Sequence, residues 1–134
     1  MESVVKEIVV RAPLQAVWSA LTEAEAIRGW MGAENEIEVD LRPGGRYRLF
    51  GGETTGEFRV IDPPHRLAYT WRQGEWPAGW ADSLVEWELR ADGSSTHIRL
   101  LHSDFPNDEE RAGHDEGWDV YWLEPMKAWL EAKA

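Results

Sequence analysis

The sequence predicts an α+β fold: a bent antiparallel β-sheet wrapped around a long C-terminal helix, with two short helices after the first strand. Three observations predict it. Trp118, Trp122, Met126 and Trp129 recur at helical spacing near the end of the chain, which makes one continuous apolar stripe. Between Glu36 and Ser103, apolar and polar residues alternate in short runs separated by turn-forming Gly, Pro and Asp, the mark of a meander with one covered face. Two short amphipathic segments stand directly after the first β-patterned run.

In chain order, Val4 to Arg11 reads as a strand, with Ile8 and Val10 on one side and Val5 and Val9 on the other. Apolar residues on both sides predict that it is covered on both faces. Pro13 suits the first turn of a helix that buries Leu14, Val17, Trp18 and Leu21. Thr22 with Glu25 reads as a capping box opening a second helix through Ile27 and Trp30, ending near Gly29 or Gly32.

Six strands then follow. Ile37 and Val39 mark the first; Tyr47 and Leu49 follow the Arg42-Pro43-Gly44-Gly45 turn; Phe58 and Val60 are read as sharing an inward face. Leu67, Tyr69 and Trp71 line the next strand, and Val85, Trp87 and Leu89 the one after. Asp92-Gly93 marks a hairpin, and Thr96, Ile98, Leu100 and His102 share the last inward face. The stretch from Gln73 to Ser83 is expected to be a looser loop, with Trp76 and Trp80 as a gate or an exposed patch.

The closing helix, from Asp108 to about Ala132, spans roughly 37 Å at 1.5 Å per residue. Asn107 is placed to cap it, and Asp108, Glu109 and Glu110 put negative charge at its positive end. Pro125 cannot bond the carbonyl of Tyr121, so a kink is expected there. Gly113 and Gly117 weaken the first half or leave room for a close neighbour.

Composition narrows the function. One domain, residues 1–134, is long enough for a sizeable core. No run of apolar residues is long enough to span a membrane, and the N-terminus lacks a signal-peptide layout. The absence of cysteine removes thiolate chemistry and fits a cytoplasmic protein. A formal net charge of −11 argues against nucleic acid and anionic membranes as partners. Nine tryptophans supply either a bulky core or the walls of an aromatic pocket.

The ordered set IVVRAPLQAVWSALT (8–22), DLRPGGRYRL (40–49), VIDPPHRLAYTWR (60–72), THIRLLHSDF (96–105) and GWDVYWL (117–123) spans nearly the whole chain. It resembles the START-like (SRPBCC), helix-grip superfamily, and within it the small bacterial homologues of the activator of heat-shock protein 90 ATPase. The resemblance implies a cavity between sheet and long helix, often holding an apolar ligand, and no single activity, because relatives bind lipids, steroids or aromatic compounds and some cyclise polyketides. The eukaryotic co-chaperone also has an N-terminal domain that engages the chaperone. These residues are not expected to contain it, so a chaperone partner is doubtful.

The residues offer few catalytic groups. His102, on an apolar inward face, is a candidate acid or base, or a ligand anchor, or a structurally satisfied imidazole. No serine lies in a GxSxG context. Neither His102 with Asp104 nor His114 with Asp115 shows a metal-ligand pattern, so no metal or cofactor is expected, and His114 is read as exposed. The candidate binding wall is Trp30, Tyr47, Tyr69, Trp71, Trp87, His102, Trp118, Trp122 and Met126. The leading expectation is a protein that binds an apolar or aromatic small molecule. The alternatives are a cyclase or dehydratase using His102, and an interaction module, dimeric or chaperone-linked, using the Trp76–Trp80 loop.

Overall fold

The computed structural model describes residues 2–133. Its strands are β1 (Val4–Val10), β2 (Glu38–Val39), β3 (Arg46–Leu49), β4 (Thr54–Asp62), β5 (Arg66–Gln73), β6 (Ser83–Asp92) and β7 (Ser95–Ser103). They form one antiparallel sheet in the order β1-β7-β6-β5-β4-β3-β2. Helices α1 (Leu14–Thr22) and α2 (Ala24–Met31) carry the chain from one edge strand, β1, to the other, β2. The C-terminal helix comprises α3 (Asp108–Gly117), a π-helical segment (Trp118–Leu123) and α4 (Glu124–Ala132).

Several local readings hold. The Asn107 side chain accepts from the Glu110 backbone N–H, which caps α3. The inward series Thr96, Ile98, Leu100 and His102 is buried throughout. Of the predicted stripe on the long helix, Trp118, Trp122 and Met126 are buried, whereas Trp129 is only half-buried and Leu130 takes the fourth buried place.

Other readings are corrected. Val5 and Val9 are exposed, so β1 is covered on one face only. The Thr22–Glu25 capping box does not form: the Thr22 hydroxyl donates back to the Trp18 carbonyl, and Glu23 caps α2 without a side-chain bond. That back-bond is available because α1 runs on through Thr22. Gly29 lies inside α2, where the Trp129 ring packs so closely that a Cβ would stand 2.7 Å from it; Gly32, at φ +124°, ends the helix.

Phe58 and Val60 do not share a face. A β-bulge shifts the register between them, so that Val60 is exposed and Ile61 packs on the core. The extra residue bends the strand and reverses the alternation beyond it. At Pro125 the helix accommodates the missing donor by widening. The Glu124 N–H bonds the carbonyl of Asp119, five residues back, immediately before the proline.

The long helix is clamped on the β1 side. Lys6 bridges Asp115 and Asp119, Glu131 accepts from the Arg11 backbone N–H, and Lys127 donates to the Val9 carbonyl. Beneath its middle the core is solid: Trp87, Leu100 and Met126 are almost wholly enclosed. Tyr47 crosses over Gly56 to donate to the Thr70 carbonyl, and a Cβ on Gly56 would strike that carbonyl oxygen.

Candidate ligand cleft

The tryptophans occupy most of the space between helix and sheet. Ring centroids lie 5.0 Å apart for Trp71–Trp118, 4.9 Å for Trp118–Trp122 and 5.1 Å for Trp30–Trp122. Trp87 meets Trp118 edge to face at 5.7 Å. Their N–H groups are mostly spoken for: Trp30 donates to the Ala20 carbonyl, Trp87 to the Tyr69 hydroxyl, Trp118 to His102 and Trp71 to His114. The exception is Trp122, whose buried indole nitrogen has no partner among the described residues.

His102 is fixed in one tautomer by this arrangement. An indole can only donate, so the 3.0 Å bond from Trp118 requires an unprotonated Nδ1 on His102. Its proton is therefore on Nε2, which donates to the Ser83 Oγ at 2.7 Å, and Ser83 donates onward to the Trp71 carbonyl at 3.2 Å. Every polar atom of the imidazole is used. Burial, with a smaller contribution from the nearby His114, holds its pKa down to about 2. The side chain is fully enclosed. His102 has neither a free lone pair for a substrate proton nor access to one, and it is not a base for Ser83, because the shared proton already sits on the imidazole. Of the three readings of His102, acid or base, ligand anchor and structurally satisfied imidazole, this geometry fits the last.

The open space is elsewhere along the same helix. A cleft of about 600 Å³ lies between the β4–β5 side of the sheet and α3 with the π-helical segment. Phe50, Thr54, Trp71 and Gln73 form its sheet wall; Trp118, Tyr121 and Trp122 form its helix wall. Gly113 and Gly117 line it too. A Cβ on Gly113 would meet nothing within 4 Å, and one on Gly117 would touch only the Tyr121 ring, at 3.9 Å. The absent side chains are part of the volume. Tyr121 stands 70% exposed on this wall.

Of the predicted wall, Trp71, Trp118 and Trp122 line the cleft. Trp30, Tyr47, Tyr69, Trp87, His102 and Met126 do not; they are buried in the core that closes its inner end. Burial raises the pKa of both Tyr47 and Tyr69, so their hydroxyls stay protonated. Inward parity alone did not separate these two groups, because it gives direction and not depth.

His114 was read as exposed. It lines the cleft instead, its Nε2 accepting from Trp71 at 3.1 Å and its Nδ1 placed 2.7 Å from the Glu110 carbonyl. The same donor-only argument puts its proton on Nδ1. Trp76 is buried rather than exposed, and its indole donates to Glu110 at 2.7 Å. Arg72 holds the whole loop, donating to the carbonyls of Trp80 and Pro77 and pairing with Asp82. The Trp76–Trp80 stretch is pinned by these bonds, with Trp76 buried and Trp80 half-buried.

This is a helix-grip protein with an aromatic cleft beside its long helix. The family model described as "Activator of Hsp90 ATPase homolog 1-like protein" matches residues 11–131, and the chain belongs to that family. It is 28% identical over 116 residues to "Uncharacterized protein C1711.08" of Schizosaccharomyces pombe, covering 87% of this chain and 33% of that one. It is 26% identical over 122 residues to the mouse "Activator of 90 kDa heat shock protein ATPase homolog 1", covering 91% and 35%. The chain thus spans about a third of the length of the curated relatives it matches. The crystal structure of PFC0360w, an HSP90 activator from Plasmodium falciparum, superposes with a TM-score of 0.85 over 96% of this chain and 95% of that one; at 24% identity this likeness concerns the fold.

Proposed function

We propose that the protein binds a flat, apolar or aromatic small molecule in the cleft between α3, the π-helical segment and the β4–β5 side of the sheet. The observation that carries this reading is the cleft itself. Its volume of about 600 Å³ falls within the range of small-molecule sites, roughly 300–1,000 Å³. Its walls include the largely exposed Tyr121 ring and the margins of Trp71, Trp118 and Trp122, whose rings are otherwise packed in the core, and aromatic walls of this kind take a planar apolar body.

Nothing at the cleft favours turnover. Its only imidazole, His114, is engaged at both nitrogens, and its carboxylates lie on a solvent-open rim. The reading is therefore binding.

Tryptophan fluorescence and thermal melting against a panel of planar aromatics, lipids and steroids test it, with Gly117→Phe as the control. A saturable quench with a raised melting temperature is expected for the parent. The added ring fills the cleft from the helix side and removes both responses without touching a tryptophan. Equal responses in parent and a folded Gly117→Phe would place the ligand elsewhere.

A further inference from the structure

We infer that the cleft reads an acceptor oxygen on its ligand: the preferred molecule is a planar aromatic bearing a carbonyl group, and the Gln73 carboxamide is the donor that recognises it. The inference rests on the cleft being a binding site and names the chemistry it selects.

Most side-chain donors on the lining are committed within the protein. Trp71 donates to His114, Trp118 to His102, and the His114 Nδ1–H to the Glu110 carbonyl. The Trp122 indole nitrogen is buried and presents no surface to a ligand. The Thr54 hydroxyl donates to Gln73 Oε1 at 2.7 Å. That leaves the Gln73 amide nitrogen and the Tyr121 hydroxyl, neither of which has a hydrogen-bond partner among the described residues. Tyr121 is largely exposed and keeps its water, whereas Gln73 is half-buried.

Thr54 tells the two ends of the carboxamide apart. That residue is 1% exposed, and among the described residues its hydroxyl has no acceptor besides Gln73. Were the amide turned round, its nitrogen would donate to Thr54 and leave a buried O–H without an acceptor. Oε1 therefore faces Thr54, and the N–H groups are left for the cleft that both residues line.

The donor also stands on fixed backbone. Thr54 and Gln73 are direct cross-strand partners on β4 and β5. The Gln73 carbonyl accepts from the Trp76 N–H, and the Gly74 N–H donates to the Glu53 carbonyl. A donor held in this way is preorganised for its acceptor. A ligand seated in the cleft covers the amide and strips its water. One without an acceptor leaves the donor unpaired, and that cost is the source of the selectivity.

The test is equilibrium dialysis of the full chain against two probes of one shape: 2-acetylnaphthalene, and 2-isopropenylnaphthalene, in which a methylene replaces the carbonyl oxygen. The ketone is expected to bind about three- to tenfold more tightly than the alkene. Gln73→Glu, read at about pH 8 where a glutamate is ionised, keeps the acceptor for Thr54 and puts a second acceptor where the N–H groups stood. The ketone should then bind more weakly than the alkene, whose affinity should change little. The double variant Thr54→Val/Gln73→Met removes both polar partners at similar shape and should erase the difference between the probes. Tyr121→Phe should leave the ratio unchanged. If the alkene binds at least as tightly as the ketone in the parent, and both are lost in Gly117→Phe, the acceptor selectivity is wrong and the cleft remains a binding site. If neither probe binds, or both still bind a folded Gly117→Phe, both readings fall. A ketone preference that survives Gln73→Glu, or vanishes in Tyr121→Phe, would overturn the role given to Gln73.

Discussion

The two halves of the long helix meet the sheet in opposite ways. The stretch around Trp122 and Met126 lies on a sealed aromatic and aliphatic core that includes Trp87 and Leu100. The stretch around Gly113 and Gly117 faces a cleft of about 600 Å³ with a carboxylate rim. Side-chain volume makes the difference. Large residues alternate across the sealed half, whereas glycines stand where the open half would otherwise be filled. On its other flank the helix is tied to β1 by Lys6, and on the cleft side Trp71–His114 and Trp76–Glu110 reach across. One element thus serves as core and as wall, and its two halves should respond differently to substitution.

The largest contrast is expected from Trp87→Ala, at 1% exposure in the sealed half. It should cost about 3–5 kcal/mol of stability, measured by denaturant unfolding. A loss below 1 kcal/mol would show that the middle is less filled than its burial indicates. Trp122→Ala is intermediate, since that ring lines the cleft and also packs on Trp30 at 5.1 Å. It should lower both stability and ligand affinity.

Gly56→Ala comes next. The new methyl would collide with the Thr70 carbonyl and the Tyr47 ring, and overpacking of this kind costs roughly 1–3 kcal/mol. Calorimetric melting of the variant measures it, and an unchanged melting temperature would break the account of the Tyr47 crossing.

The pH dependence of stability sharpens the sealed half further. The His102 pKa lies below its unfolded value near 6.5, so the folded state refuses a proton that the unfolded chain accepts. The stabilisation is complete above about pH 6.5 and is lost progressively as pH falls toward about 2. Between pH 6 and 4 the slope should include close to one proton, and His102→Gln should remove that contribution. An identical slope in the variant would mean that His102 is protonated in the fold.

The smallest effect belongs to the open half. Gly113→Ala should stabilise the protein by up to about 1 kcal/mol through helix propensity, because its Cβ meets nothing within 4 Å. Ligand affinity should change little, in contrast to Gly117→Phe. Destabilisation on adding this one methyl would show that the backbone there needs the glycine.

Much of the molecule was legible from the chain. Strand alternation, the turn residues and the periodic tryptophans gave the element order, the meander and the long helix, and Asn107 marked the start of that helix. These signals are local, set by backbone geometry and by which side of an element must leave water. The readings that failed depended on neighbours distant in sequence. Val60 turned outward because of a bulge against β5, Thr22 bonded backwards instead of capping, and Trp76 was buried by a bond to Glu110. His114 offered a signal that was available: on a helix it falls four residues before Trp118, on the stripe itself.

By itself the sequence determined the α+β class, the order and approximate extent of its elements, and the inward series on β3, β5, β6 and β7, because these follow from periodicity and turn chemistry. Only the tertiary structure decided which core aromatics also border the cleft. That choice is a matter of depth, set by how large side chains from strands far apart in sequence meet across the sheet and where two helical glycines leave the packing incomplete. It also decided the protonation of His102, since a tautomer is fixed by the donors that three-dimensional packing brings to each ring nitrogen.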